Sequence, residues 1–114
     1  MEHNFERLDV WKRGCDLAVK TYEALRGSRE YAFRDQMVRS SLSVPSNIAE
    51  GSERGTQADF ARFLRISKGA SGELRTQAYI ADRLGIIKPT TARTIIEETR
   101  EISSMLEGLI RSLR

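Results

Sequence analysis

The sequence predicts an all-α protein, an antiparallel up-down four-helix bundle with its second helix kinked at a proline. Three observations predict it. Four stretches carry apolar residues at spacings of three and four, which puts them on one face of a helix. No stretch alternates at the period of two that a half-buried strand requires. Two prolines and eight glycines in 114 residues are too few for a loop-rich β fold.

The first stripe is Leu8, Trp11, Cys15, Ala18, Tyr22 and Leu25, with Val19 beside it. Asp9 stands where it can cap this helix, and Gly27 where it can end it. The segment RGSREYAF reads as the first turn. Met37, Ser41, Val44 and Ile48 make the second stripe, flanked by Val38, Leu42, Pro45 and Ala49. Gly51 and Gly55 punctuate the second turn, and Thr56 with Asp59 resembles a capping box. The third stripe runs from Phe60 through Phe63, Leu64, Ser67, Ala70, Leu74, Ala78 and Ala81 to Leu84, in a helix of about 30 residues and ~45 Å. Gly85 closes it, and Pro89 with Thr90 opens the fourth helix. That helix carries Ile95, Thr99, Ile102, Leu106, Leu109 and Leu113. Short turns between four helices favour antiparallel neighbours. The length suits a single domain over residues 1–114, and no internal repeat or low-complexity segment interrupts it.

Composition narrows the function classes. No apolar run approaches the roughly 20 residues of a membrane span, and the charged start MEHNFERLDVW lacks a signal core, so the expectation is a cytoplasmic protein without membrane contact. One cysteine, Cys15, allows no internal disulfide. One histidine, His3, leaves no Cys/His zinc set within the chain. Cys15 lies on an apolar stripe with no interior histidine to activate it, and no Glu-x-x-His pair or phosphate-binding glycine loop occurs. Glu50 and Glu73 read as hydrogen-bonded structural acids. The reading is of a non-enzyme with no catalytic residue, metal or cofactor.

SVPSNIAEG, residues 43–51, is the unusual stretch. Pro45 has no N–H for the Ser41 carbonyl, and an interior proline costs ~3 kcal/mol. The stripe continues through it, which favours a kink over a break at Val44. The opposite face carries Gln36, Arg39, Ser40, Ser43, Ser46, Asn47, Glu50 and Arg54. Solvated faces usually hold stronger helix formers than serine and asparagine. Small polar residues admit a neighbouring helix, so Arg39, Ser43, Ser46, Asn47, Glu50 and Arg54 are candidate subunit-interface or structural residues.

The same residues carry a resemblance. Phe5, Leu8, Val10 and Trp11, then Gln36, Arg39, Ser40 and Ser43, then PSNIAEG with Arg54, then Phe60, Phe63, Leu64, Lys68, Gly69, Glu73, Leu74, Thr76 and Gln77 resemble a bacterial four-helix-bundle family. Its members are encoded in intervening sequences of large-subunit ribosomal RNA genes. The accessory variability determinant of diversity-generating retroelements has a similar fold. Where relatives tend to have Gly-Ser-Leu-Ala-Glu, this chain has Gly69-Ala70-Ser71-Gly72-Glu73, and the extra glycine should loosen the third helix. The resemblance implies a bundle that assembles into a homopentamer. By analogy with the retroelement proteins, it also implies nucleic acid or a reverse transcriptase as partner.

Charge agrees with a nucleic-acid role without demanding one. The net charge is +3 and the isoelectric point about 9.3. On the third helix, Arg62, Arg65, Lys68, Arg75 and Arg83 fall opposite the apolar side, with Tyr79 among them. Arg62, Arg65, Lys68 and Arg75 are the candidate nucleic-acid-binding residues, for RNA or DNA, through phosphate contacts without strong sequence preference. The alternative is a homo-oligomeric scaffold for a protein partner. Ile66 and Ile80 border this sector and read as interface residues, by analogy with Ile96 and Ile110 on the fourth helix.

Overall fold

The computed structural model describes residues 4–113; His3 lies outside them. A 3-10 turn, Phe5–Arg7, leads into four helices: α1 (Asp9–Leu25), α2 (Tyr31–Glu53), α3 (Gln57–Arg83) and α4 (Pro89–Ser112). Helix α2 packs on α1 and α3, α3 packs on α4, and α4 returns against α1. The result is an up-down four-helix bundle of 45 × 20 × 19 Å.

Local chemistry sets the boundaries. Gly27, Gly55 and Gly85 follow the first three helices with φ of 79°, 86° and 72°, the left-handed conformation that reverses the chain. The Thr56 hydroxyl accepts from the Asp59 amide at 3.1 Å and caps α3. Pro89 occupies the first turn of α4, where its missing N–H is harmless. Three boundaries differ from the sequence reading. Leu8 holds the cap position of α1, and Asp9 falls in the first turn, where its charge suits the helix dipole. Tyr31, Ala32 and Phe33 belong to α2 rather than to the turn before it, and Gly51 is helical.

The predicted stripes of α2 and α3 form the core, with Met37, Val44, Ile48, Leu64 and Leu74 fully buried; Leu84 is the exception and is exposed. On α1 the core face is Val10, Gly14, Leu17, Ala18, Thr21 and Leu25. The predicted stripe is displaced around the helix: Trp11 and Cys15 are half-buried, Val19 and Tyr22 exposed. The reason is steric. Gly14 must face α2, where a Cβ would stand 3.3 Å from Pro45 Cβ, and that rotation turns Leu17 inward and Tyr22 outward. Ile96 and Ile110 are buried core residues, unlike the exposed Ile66 and Ile80, so the analogy between the pairs does not hold.

Helix α2 continues through Pro45, so no break falls at Val44. Just ahead of the proline, Ser67 Oγ of α3 donates to the Val44 carbonyl at 2.7 Å. About two turns further along α2, a Cβ at Gly51 would lie 2.6 Å from Phe63 Cβ. The α1–α4 seam is closed by charge: Arg13 Nη2 lies 2.7 Å from Glu98 and 3.2 Å from Glu101.

Gly51→Ala should therefore destabilise the bundle by ~1–2 kcal/mol, overpacking against Phe63 outweighing the better helix propensity of alanine. Gly72 has open space around its Cβ position. Gly72→Ala should stabilise by up to ~1 kcal/mol. Urea unfolding of the two variants checks both signs.

Candidate nucleic-acid interface

Helix α3 buries one side in the core and flanks α2 and α4 with its edges, leaving one sector outward. Arg62 and Arg65 lie on that sector and are exposed. Arg62 stacks over the Phe63 ring at 4.5 Å and lies 3.7 Å from Asp59. Arg65 has no acidic partner among the described residues. Lys68 turns toward α4 and pairs with Glu107 at 3.0 Å. Arg75 is half-buried and faces α4 as well: its Nε donates to Thr99 Oγ1 at 3.1 Å, and its Nη2 donates to the Thr99 carbonyl at 3.2 Å and to Ser103 Oγ at 2.8 Å. The four predicted cations thus divide into two outward guanidiniums and two groups along the α3–α4 seam. Tyr79 lies on the same seam, its hydroxyl accepting from Arg100 at 2.8 Å.

That seam is a polar rivet. Ser71 Oγ donates to the Thr99 carbonyl at 2.9 Å, and Ser103 Oγ donates to Ser71 Oγ at 2.9 Å. Ser71 and Thr99 are fully buried, so these bonds satisfy groups that water does not reach. Glu107 accepts from Lys68 and from Arg111 Nε, and these bonds hold its carboxyl below the usual range.

On α2 the predicted interface set separates into local contacts. Asn47 Nδ2 donates to both the Ser43 carbonyl and Ser43 Oγ at 2.8 Å. Glu50 and Arg54 pair across one turn at 3.5 Å, and Arg54 stacks over Phe63 at 5.0 Å. Ser46 is exposed. Ser40, from the same face, is buried inside the protomer and donates to Glu73 Oε1 at 2.7 Å. Glu50 and Glu73 therefore have separate partners.

Sequence reasoning missed one feature. Arg39, with Arg26, Arg34 and Tyr22, lines a groove of about 560 Å³ between α1 and α2, to which Val38 and Leu42 add apolar surface. The sequence reading places Tyr22 in the first apolar stripe and Leu42 at the flank of the second, whereas both are exposed, and no linear spacing joins residues 22–26 to 34–42. At Cys15, burial and the Asp16 charge push the thiol up, away from the reactive thiolate. Among the described residues no group of three His, Cys, Asp or Glu side chains is placed to hold a metal ion.

Two outcomes follow for the seam. Arg75→Met should destabilise the fold by ~1–3 kcal/mol, because the buried Thr99 and the half-buried Ser103 lose a charged partner; thermal unfolding measures it. Lys68→Met should raise the Glu107 pKa in an NMR titration. A carboxylate with a lowered folded pKa stabilises above its unfolded value and loses that contribution as pH falls through the folded one. The lysine variant should accordingly show a smaller stability loss on acidification below about pH 4, near the ordinary glutamate value.

Comparison with known proteins agrees with this architecture. No curated protein sequence matches the chain. A crystal structure of a protein of unknown function from the S23 ribosomal protein family of Bacteroides thetaiotaomicron superposes with a TM-score of 0.82 at 25% identity, covering 89% of this chain and 97% of that one. Residues 6–108 match the family model described as 23S rRNA-intervening sequence protein, and the chain belongs to that family.

Proposed function

We propose that the protein is a non-catalytic, homo-oligomeric bundle that binds nucleic acid through phosphate contacts, without strong sequence preference. The observation that carries this reading is the pair of outward guanidiniums on α3, Arg62 and Arg65, the second with no carboxylate to neutralise it. Lys68 adds charge beside them, and Arg75 holds α3 to α4 behind them. A chain of +3 charge repeated by symmetry gives a strong positive field, the condition for sequence-independent binding. Membership in a family tied by description to 23S rRNA intervening sequences is consistent with a nucleic-acid partner.

Assembly is supported by exposed aliphatic surface, Ile66 being 43% and Ile80 44% accessible, and by the small polar face of α2 formed by Ser43, Ser46, Asn47, Glu50 and Arg54. The family resemblance points to five copies. The same aliphatic surface favours a second reading, a scaffold for a protein partner such as a reverse transcriptase.

Light scattering tests the proposal. The expected mass is about 65 kDa, five copies of a 13.0 kDa chain. It should rise with a mixed-sequence duplex or an RNA hairpin at ~50 mM salt and fall back at ~200 mM. Arg62→Glu with Arg65→Glu should remove the gain and leave the oligomer intact. Ser46→Lys should lower the mass without unfolding the chain. An oligomer that ignores both nucleic acids at low salt would leave the scaffold reading in its place.

A further inference from the structure

The groove between α1 and α2 brings exposed aromatic, cationic and apolar groups together. Tyr22 and Tyr31 are 53% and 59% exposed, and each ring has a guanidinium over it: Arg26 at 5.8 Å from the first, Arg34 at 5.0 Å from the second. Arg26, Arg34 and Arg39 all line the groove, with Tyr22 in its wall. Arg26 and Arg39 have no carboxylate partner among the described residues. The only carboxylate paired in the lining is Asp35, 3.5 Å from Arg34. Val38 and the half-exposed Leu42 add apolar surface.

We infer that this groove binds single-stranded RNA, the phosphates lying on Arg26 and Arg39 and a base stacking on Tyr22 in its wall; Tyr31, exposed at the start of α2, is not part of the lining. The inference rests on the nucleic-acid reading above and names a second site and a strand form for it. Its physical basis is the pairing of two terms. Free guanidiniums supply the phosphate contacts, and exposed aromatic faces supply stacking that a base-paired duplex cannot offer, since its bases are already stacked. The apolar surface suits the flat faces of unpaired bases. On the outward sector of α3 the ring beside Arg62 is the buried Phe63, so Arg62 and Arg65 meet phosphates alone and have no reason to prefer single strands.

Fluorescence anisotropy of a labelled 15-mer of uridine, against a 15-base-pair duplex, tests it at ~50 mM salt, where phosphate contacts are strong. The wild-type protein should bind the single strand more tightly than the duplex. Tyr22→Ala should weaken single-strand binding about fivefold or more, the effect of one lost base stack, and leave the duplex unchanged. Arg26→Gln with Arg39→Gln should reduce the salt slope for the single strand by about 1.4, two phosphate contacts' worth. All three positions are exposed, so the variants should stay helical, which circular dichroism checks.

Equal affinity for both probes, insensitive to the groove variants but abolished by Arg62→Glu with Arg65→Glu, overturns this site and leaves the α3 proposal standing. No binding of either probe overturns both. A smaller mass for Tyr22→Ala or Leu42→Asp in light scattering makes the groove a contact between subunits and overturns the RNA assignment. Displacement of the uridine probe by an acidic amphipathic helical peptide, with no change on Tyr22→Ala, overturns it in favour of a protein ligand.

Discussion

Helix α2 lies against α1 and α3 at once, with a glycine at a tight contact on each side. At the α1 side, Gly14 leaves room for the Pro45 ring. At the α3 side, Gly51 leaves room for the first carbons of Phe63. Close-packed interiors do not absorb even one extra methyl without displacement. These two contacts fix how far α2 sits from its neighbours and how α1 is rotated about its own axis. The rotation then decides which residues of α1 are core and which are surface. Val19 and Tyr22 are exposed as a consequence, and the groove beside them exists for the same reason.

Helices this close leave no space for long polar side chains, and the bundle uses hydroxyls instead. Thr21, Ser40, Ser41, Ser67, Ser71 and Thr99 are all buried. Thr21 and Ser41 bond to carbonyls on their own helices, while Ser40, Ser67 and Ser71 reach across to the next one. Each satisfied bond contributes only about 1 kcal/mol, yet an unsatisfied one would cost more, so the set specifies register as much as stability. Small size and a satisfied hydroxyl together account for the serines of α2 and α3. Ser40 shows that part of the polar face of α2 is an internal seam.

Most of the fold was legible because apolar periodicity and turn chemistry agree. The stripes on α2 and α3, the Thr56 cap and the three closing glycines were all visible from spacing and residue type. On α1, two stripes compete. Leu8, Trp11, Cys15 and Tyr22 are larger and more apolar together than the true face with its Gly14 and Thr21. Only the partner across the interface decides between them, and Pro45 is distant in sequence. The outward position of Arg62 and Arg65 followed from the helical wheel. The inward engagement of Arg75 and Lys68 did not, because it depends on Thr99, Ser103 and Glu107 arriving from α4. The arginines of the α1–α2 groove were illegible for the same reason: they converge from α2 and from the turn that follows α1.

The 3-10 turn before α1 bears on how the molecule is observed. Phe5 meets Trp11 edge-on, with ring centroids 5.3 Å apart, and Trp11 is the only tryptophan in the chain. It lies outside the central core, at the junction of the turn with α1. Trp11 also packs against the core, so its emission reports the seating of the 3-10 turn together with the packing of α1. Release of Phe5 would shift the fluorescence while the helical signal stays whole, so this one ring gives an optical readout of how the turn docks.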